Sequence, residues 1–209
     1  MTRVGAIVLA AGRSSRFRAA GGSGETKLVA QLGGRPIVRM AAEAALASRA
    51  RPVVAVTGHA RDEVEAALAG VELESAYNPD FSTGLASSLR VGLSAMPADV
   101  AGALVLLGDM PWIGARLIDA LIDAFLAKER ALAALPVRGG RRGNPVLLGR
   151  GLFEAAMLLK GDEGARRLID ALKAGDVVEI DAPDAGAVMD IDTPADLSAA
   201  LRADINNRR

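Results

Sequence analysis

Three segments of the sequence carry residue types that could do chemistry at a ligand. The first, Ala10-Ala11-Gly12-Arg13-Ser14-Ser15-Arg16, follows an apolar run, and Lys27 lies at the far end of the same loop. Small residues let a ligand approach backbone amides, while arginine and lysine supply donors and charge for phosphate oxygens. The segment therefore predicts a phosphate-binding loop, and the open alternative is that Arg13, Arg16 and Lys27 are solvated loop charges. Its spacing matches neither the Walker loop nor the three-glycine dinucleotide fingerprint.

The other two segments carry carboxylates. Asp109 ends the apolar run 103–108, where an unpartnered charge is costly, and Asp190 and Asp192 precede a helix that Thr193 would cap. Mg²⁺ takes few carboxylates and keeps substrate phosphates in its coordination shell, so these aspartates predict a Mg²⁺ site. The alternatives are that Asp109 caps a turn and that the other two are ordinary acids at a helix start.

Composition argues against several other classes of protein. The chain of 209 residues has a formal net charge of zero and only 3% aromatic residues, which disfavours binding to nucleic acid, single strands included. It has no cysteine, and its single histidine, His59, has no serine elbow to complete a triad. With no targeting or membrane segment, the chain is predicted to be soluble and cytoplasmic.

Hydrophobic periodicity predicts strands and helices that alternate along most of the chain. Strands are predicted at Val4–Ala10, Pro52–Thr57, Val71–Ala76, Ala101–Leu107, Ala131–Val137, Asn144–Leu148 and Val177–Asp181. Helices are predicted at 36–48, 61–69, 87–96, 116–128, 152–159, 164–173 and 194–203, with a frayed tail at 206–209. This alternation predicts one α/β domain over residues 1–209, with three layers and a mostly parallel sheet. Ligands bind such sheets beyond the carboxyl ends of the strands, where the three segments should meet.

The same segments resemble those of a known family. The stretch LAAGRSSRF with a later lysine resembles the signature loop of the MobA-like nucleotidyltransferases, L-A-[AG]-G-x-S-x-R-[MF]-G. NPDFSTGLASSLRVGL (78–93) and LLGDMPWI (106–113) are similar to two further motifs of that family. GNPVLLGRGLFEAAMLLKGDEGARRLI (143–169) and DIDTPADL (190–197) are similar to its molybdenum cofactor cytidylyltransferase branch. The five motifs occur in the family's order.

The resemblance implies a Rossmann-like nucleotidyltransferase domain that binds a nucleoside triphosphate and Mg²⁺. A phosphate of the acceptor would attack the α-phosphorus, and pyrophosphate would leave. In the branch named, the nucleotide is CTP and the acceptor is molybdopterin bearing molybdenum, which a molybdenum hydroxylase apo-enzyme would then receive. Two alternatives stay open: a transferase that uses GTP or another phosphorylated acceptor such as a sugar phosphate, and a non-catalytic cofactor-binding or insertion chaperone.

The resemblance also implies roles for individual residues. Catalytic roles fall on Arg13, Arg16, Lys27 and Asp109, and metal binding on Asp109, Asp190 and Asp192. The nucleotide would be bound by Leu9, Ala10, Ala11, Gly12, Arg13, Lys27, Asn78, Ser87, Ser88 and Gly108. The acceptor would be bound by Arg138, Asn144, Pro145, Gly161, Asp162, Gly164 and Arg166. Ala11 stands where guanylyltransferases tend to have glycine, and its methyl group favours cytosine because it takes room from a purine.

Two features depart from the usual family pattern. The glycine-rich segment RAAGGSGET separates Phe17 from Lys27 and is predicted to be mobile, either as a lid or as an insertion that displaces Lys27 from the phosphates. The cluster of Arg138, Arg141 and Arg142 either binds a phosphate of the acceptor or forms a solvated loop.

Overall fold

The structure is a computed structural model, and it describes residues 2–207 of the chain. Arg208 and Arg209, the end of the tail predicted to fray, lie outside the described residues. The strands are β1 (Arg3–Ala10), β2 (Gln31–Leu32), β3 (Arg35–Pro36), β4 (Val53–Thr57), β5 (Glu74–Tyr77), β6 (Val100–Leu107), β7 (Ala133–Arg138), β8 (Arg141–Arg142), β9 (Val146–Gly149) and β10 (Val177–Asp181). The helices are α1 (Ser15–Ala19), α2 (Ile37–Ala47), α3 (Arg61–Ala67), α4 (Leu85–Ser94), α5 (Ala115–Ala127), α6 (Phe153–Met157), α7 (Ala165–Asp170) and α8 (Pro194–Asn207).

One mixed sheet runs through the molecule in the order β10-β7-β9-β6-β1-β4-β5, with β8 paired to β7. β1 is parallel to both β4 and β6, β4 is parallel to β5, and β7 is parallel to β10. Only β9 and the short β8 run antiparallel to their neighbours within this sheet. The predicted α/β fold with a mostly parallel sheet is therefore confirmed. β2 and β3 form a separate hairpin.

The sheet is covered on both faces, which explains why its strands read as continuous apolar runs. Ile7 and Leu9 of β1 pack on one side with residues of α4, α6 and α7. Ala6 and Val8 pack on the other side with residues of α2 and α5. The predicted three layers follow from this alternation of buried side chains along each strand.

Chain order reverses on either side of β1, since β4 and β5 lie to one side and β6 to the other. Such a reversal leaves a crevice at the carboxyl ends of the two diverging strands. Leu9 near the end of β1 pairs with Leu107 at the end of β6. The loop that begins at Ala11 and the turn that contains Asp109 therefore leave the sheet side by side.

A few element boundaries differ from the predicted ones. β5 begins at Glu74 rather than Val71, because a tight turn binds the Leu73 amide to the Val71 carbonyl at 2.9 Å. α8 ends at Asn207 rather than Ala203. The short helix α1 lies where only a loop was expected, and the buried Phe17 anchors it to the body of the protein. Within residues 2–207, no helix combines the length and the apolar character needed to cross a membrane.

Gly84 makes a close contact between the start of α4 and the loop before α7. Its φ is +114°, and a Cβ atom placed there would lie 2.2 Å from the carbonyl carbon of Gly161. The Gly161 carbonyl in turn accepts a 3.0 Å hydrogen bond from the Ala86 amide. A side chain at position 84 would push these two segments apart.

We predict that Gly84→Ala lowers the free energy of unfolding by about 3 kcal/mol, because backbone strain and a steric clash add together. Gly34→Ala is the matched control, since Gly34 also has a positive φ of +81° but leaves its Cβ position open. That control should cost about 1 kcal/mol from strain alone. Urea unfolding of both variants measures the difference, and equal losses would show that the contact with Gly161 adds nothing.

Candidate active site

A cleft of about 640 Å³ opens at the carboxyl ends of β1 and β6. Of the residues predicted to act on a ligand, those that line it are Leu9, Ala11, Gly12, Arg13, Arg16, Lys27, Ser88, Asp109, Asp162, Asp190 and Asp192. The three segments singled out in the sequence therefore meet in one place. Its position is the one expected for ligand sites in open α/β sheets.

Lys27 lies at the centre of the charged part of the cleft. Its Nζ is 2.8 Å from Asp109 Oδ2 and 2.6 Å from Asp192 Oδ1, and the residue is only 8% exposed. Burial by itself would lower the pKa of Lys27, but the charges and hydrogen bonds of the two aspartates outweigh it and raise that pKa. The glycine-rich segment therefore delivers Lys27 into the cleft, and the ammonium group stays charged there.

Asp109, Asp190 and Asp192 bring one oxygen each to within 4.8 Å of one another. Oδ1 of Asp109 is buried and has no hydrogen-bond partner among residues 2–207, which is costly for a carboxylate. Three carboxylates at this spacing, one of which carries an oxygen without a partner, fit a hard divalent cation. The cluster therefore fits the metal site expected from the sequence.

The segment that carries Asp190 and Asp192 is held against the end of β6. The amide of Ile191 donates to the carbonyl of Asp109 at 3.1 Å, and the Ile191 side chain is completely buried. Thr193 and Asp196 then form a capping box at the start of α8. Thr193 Oγ1 accepts from the Asp196 amide at 3.2 Å, and Asp196 Oδ2 accepts from the Thr193 amide at 2.7 Å. Asp192 is thereby held in place, because the residue before it is hydrogen-bonded to Asp109 and the residue after it caps α8.

The two arginines of the first loop lie in different settings. The Arg16 guanidinium forms an ion pair with Asp192, although its side chain is 77% exposed. Arg13 lines the cleft and makes no ion pair or hydrogen bond with any other described residue. An added Cβ at Gly12 would meet no atom within 4 Å, so a ligand has room to approach this part of the loop. Both cations can turn toward an anion in the cleft without breaking a buried contact.

Some residues predicted to bind the nucleotide lie beneath the cleft instead of lining it. Asn78 is buried and donates from Nδ2 to Ser87 Oγ at 2.8 Å and to Ser88 Oγ at 3.0 Å. Ser87 in turn donates to backbone carbonyls, and of this group only Ser88 reaches the cleft. Ala10 and Gly108 lie under its floor, where the Gly108 amide donates to the Leu9 carbonyl at 3.0 Å. Asn78 and Ser87 thus shape the loop before α4.

A second cavity of about 340 Å³ adjoins the first, and the two share Leu9, Leu85, Leu107 and Asp162 as lining residues. Its other predicted residues are Asn144, Gly164 and Arg166. The Arg166 guanidinium donates to the carbonyls of Arg142 at 3.1 Å and Gly143 at 2.6 Å, while its Nε has no partner within the described chain. Burial in this mainly apolar cavity lowers the pKa of Arg166.

The remaining residues predicted to bind the acceptor do not line either cavity. Arg138 donates to the carbonyls of Ala182 at 3.1 Å and Pro183 at 3.4 Å. Arg142 pairs with Asp170 and Glu179, each at 2.7 Å. Gly161 instead accepts the hydrogen bond from α4 described above, and Pro145 follows a cis peptide bond beside Asn144. Two arginines of the cluster, Arg138 and Arg142, therefore make contacts within the fold, while Arg141 is exposed.

No individual role was predicted from the sequence for a pair of hydroxyl groups at the cleft, one on its wall and one buried behind it. Ser14 lines the cleft, and its Oγ accepts a 3.1 Å hydrogen bond from the Lys27 amide. Thr26, which is 1% exposed, places its Oγ1 3.0 Å from Ser14 Oγ. The available signal was a hydroxyl directly before the lysine and another shortly after Gly12. Sequence spacing alone could not show that these two side chains meet.

Comparison with known proteins agrees with this geometry. Residues 6–177 match the family model described as the MobA-like NTP transferase domain. This chain belongs to that family. The matched region of this MobA-like protein is therefore a nucleotidyltransferase domain.

Its similarity to individual proteins follows the same pattern. The bifunctional protein GlmU of Leifsonia xyli subsp. xyli is 34% identical over 175 residues, which is 81% of this chain and 35% of that protein. The MobA-like chain thus spans about a third of the length of that relative. The crystal structure of Rv0371c from Mycobacterium tuberculosis is 25% identical, with a TM-score of 0.83 over 96% of this chain and 98% of that one.

Two further solved structures share the fold. Rv0371c also has a solved complex with manganese, which is 23% identical to this chain with a TM-score of 0.80, covering 97% of this chain and all of that one. Molybdopterin-guanine dinucleotide biosynthesis protein A from Archaeoglobus fulgidus is 18% identical, with a TM-score of 0.69 over 97% of this chain and 100% of that one.

The carboxyl groups of Asp190 and Asp196 should respond to acid in opposite ways. Partial desolvation, and then the charges of Asp192 and Asp109, raise the pKa of Asp190. The hydrogen bond from the Thr193 hydroxyl and those from backbone amides lower the pKa of Asp196. The charge on Asp190 therefore destabilises the fold at neutral pH, and this penalty disappears as the pH falls below the unfolded value of about 3.9. The charge on Asp196 stabilises the fold at neutral pH, and this contribution is lost on acidification.

We predict that, in EDTA at pH 7, Asp190→Asn raises the free energy of unfolding and Asp196→Asn lowers it. Both differences from the unmodified protein should shrink at pH 3, because the native carboxyl groups are then increasingly protonated. Urea titrations at the two pH values measure the effect, with each variant serving as the control for the other. Changes of the same sign at pH 7 would contradict this account of the cluster.

Proposed function

We propose that this chain is a CTP:molybdopterin cytidylyltransferase that depends on Mg²⁺ and releases pyrophosphate. A phosphate oxygen of the molybdenum-bearing molybdopterin forms a bond to the α-phosphorus of CTP, and the bond from that phosphorus to the β-phosphate oxygen breaks. The observation that carries the proposal is the buried Lys27 ammonium, held between Asp109 and Asp192 in a cleft that Arg13 and Arg16 also line.

The residues in the cleft suit phosphoryl transfer between anions. An attacking phosphate is already ionised, so it needs no general base, but it must overcome its repulsion from the triphosphate. Arg13, Arg16 and Lys27 supply positive charge on one rim, and neither cysteine nor a histidine-activated serine is required. The side-chain chemistry of the cleft therefore supports transfer of a nucleotidyl group by positioning and charge neutralisation.

The carboxylates would hold the metal ion. Asp109 would contribute the oxygen that now lacks a partner, and Asp190 and Asp192 lie close enough to contribute one each. When bound, Mg²⁺ neutralises phosphate charge in the reacting group. Lys27 shares two of these carboxylates, so it would lie beside the metal and the phosphates together. A solved manganese complex of the similar protein Rv0371c supports a divalent cation in this fold.

The choice of CTP is based on the wall around Ala11. This residue lines the cleft and is 3% exposed, and an added Cβ at Gly58 would lie 2.7 Å from both the Ala11 methyl and Phe81 Cβ. The methyl group is therefore backed by packed atoms and has no room to retreat from a larger base. Such a wall favours cytosine over guanine.

The second cavity supports a separate acceptor beside the nucleotide. It combines an apolar wall, formed by Leu85, Leu89 and Val146, with the polar groups of Asn144 and Arg166. A heterocycle that carries a phosphate, such as molybdopterin, presents a matching mixture of surfaces. The name of the Archaeoglobus fulgidus protein, which concerns molybdopterin-guanine dinucleotide, is consistent with that acceptor class.

A second candidate is the same transfer to a different phosphorylated small molecule, such as a sugar phosphate. The sequence relative named GlmU is 34% identical and has a name unrelated to molybdopterin, which favours keeping this acceptor class open. The cleft and carboxylates would serve either reaction, and only the second cavity would differ in its occupant.

The experiment is calorimetric titration of the purified protein with CTP and GTP in Mg²⁺, followed by an assay of pyrophosphate release with molybdopterin. We expect CTP to bind more tightly than GTP, and Asp109→Asn to lower the rate of pyrophosphate release by about 100-fold or more. Asp123→Asn is the matched control, because Asp123 pairs with Arg49 on the outer surface and should change neither quantity. Absence of binding to both nucleotides would overturn the proposal, and release with a sugar phosphate but not with molybdopterin would select the second candidate.

The choice of base has its own test in Ala11→Gly. Removal of the methyl group should raise the affinity for GTP relative to CTP, because a purine gains the room that the methyl group occupies. The ratio of the two dissociation constants measures this change. An unchanged ratio would show that Ala11 does not select the base.

A further inference from the structure

The hydroxyl of Ser14 takes part in two hydrogen bonds, which leave only one of its three hydrogen-bonding positions free. Ser14 Oγ accepts from the Lys27 amide at 3.1 Å, and it lies 3.0 Å from Thr26 Oγ1. Either hydroxyl of this pair can supply the proton between them. The choice decides which of the two keeps a free O–H group, since a serine or threonine hydroxyl has one donor and two acceptor positions.

Burial settles the direction of this hydrogen bond. Thr26 is 1% exposed, and its Oγ1 already accepts from the Leu28 amide at 3.3 Å. If Ser14 donated to it, the Thr26 proton would have no acceptor among residues 2–207, and a buried donor without a partner costs about 1–3 kcal/mol. Thr26 therefore donates to Ser14. Both lone pairs of Ser14 Oγ are then used, and its own proton remains free.

Ser14 lines the cleft together with Arg13 and Lys27, so its free donor is available to a ligand bound there. A hydroxyl whose acceptor positions are filled can only donate, so it suits an anion and cannot serve as a ligand for a metal ion. Ser14 also has a left-handed backbone at φ +50°, an uncommon conformation for a residue other than glycine, asparagine or aspartate. Such strain persists when the surrounding contacts fix it, and residues with it cluster at functional sites.

We infer that Ser14 binds a phosphate oxygen of the nucleotide through its hydroxyl, and that the buried Thr26 is the positioning residue that aims it. This inference rests on the proposed function, because it requires a phosphate in the cleft. The same pair of hydroxyls fixes the backbone on either side of Lys27, through the Lys27 and Leu28 amides. Thr26 thus helps both to orient the Ser14 hydroxyl and to position the Lys27 ammonium.

Two ligands separate a phosphate contact from other roles: CTP and inorganic tripolyphosphate, each with Mg²⁺. Ser14→Ala should weaken both by about tenfold, as expected for loss of a hydrogen bond to a charged group. A contact with base or ribose would weaken CTP alone, and that result would overturn the inference. Ser14→Gly removes the same hydroxyl and relieves the left-handed backbone, so matching losses in the two variants assign the effect to the hydroxyl. It also serves if Ser14→Ala does not fold.

The positioning role of Thr26 is tested by a double-mutant cycle. Thr26→Val keeps the branched shape but removes the donor, and it should weaken tripolyphosphate by about threefold, whereas Thr26→Ser should restore normal binding. In the Ser14→Ala background, Thr26→Val should cause no further loss, because the group it aims is already absent. An equal loss in both backgrounds would show that Thr26 affects binding independently of Ser14, through the Leu28 amide and the placement of Lys27, and would overturn its role in positioning the Ser14 hydroxyl.

The two levels of the proposal can fail separately. If the unmodified protein binds neither CTP nor tripolyphosphate, the proposed function fails and the Ser14 contact fails with it. If the unmodified protein binds both and Ser14→Ala binds them with the same affinity, only the inference about Ser14 is overturned.

Discussion

A single buried ammonium group joins three parts of the chain that are far apart in sequence. Lys27 follows the first loop, Asp109 follows β6 and Asp192 precedes α8, and each aspartate lies within 2.8 Å of the Lys27 nitrogen. A cation at that depth needs partners, and carboxylates so close together need a cation between them. The ammonium and the two carboxylates therefore stabilise each other, and this mutual need holds the walls of the cleft in place. The sheet brings the three segments to one edge, and the ion pairs then fix how far apart they lie.

Most of the scaffold could be predicted from the sequence because its physical cause is local. Continuous apolar runs such as those of β1 and β6 indicate strands buried on both faces, and turn residues mark where they end. The convergence of the three polar segments follows from the rule that parallel strands release their loops at one edge. Topology therefore predicted that the three segments would meet, but it left open whether Lys27 would reach the aspartates across the glycine-rich segment.

What could not be predicted depends on side-chain contacts between distant segments. Asn78 and Arg138 are polar residues in motifs expected to meet a ligand, yet Asn78 donates to two serine hydroxyls and Arg138 donates from one guanidinium nitrogen to backbone carbonyls. Ser14 and Thr26 are ordinary residues for a polar loop, and only the structure shows that their hydroxyl groups share a hydrogen bond. A buried polar side chain needs a hydrogen-bond partner, but the amino-acid sequence does not say whether that partner belongs to the protein or to a ligand.

The antiparallel strand β9 has a consequence for how this architecture can vary. Because β9 runs against β6, its first residue, Val146, pairs with Val105 near the carboxyl end of β6. The residues just before β9 and those that begin α7 therefore meet at the second cavity, while the loop after β1 (residues 11–17) forms the largest part of the first. The two cavities are built largely by different stretches of chain that share a wall. Divergence in the later stretch can remodel one compartment while the lysine and its carboxylates stay in place, which makes the fold modular at the level of its ligands.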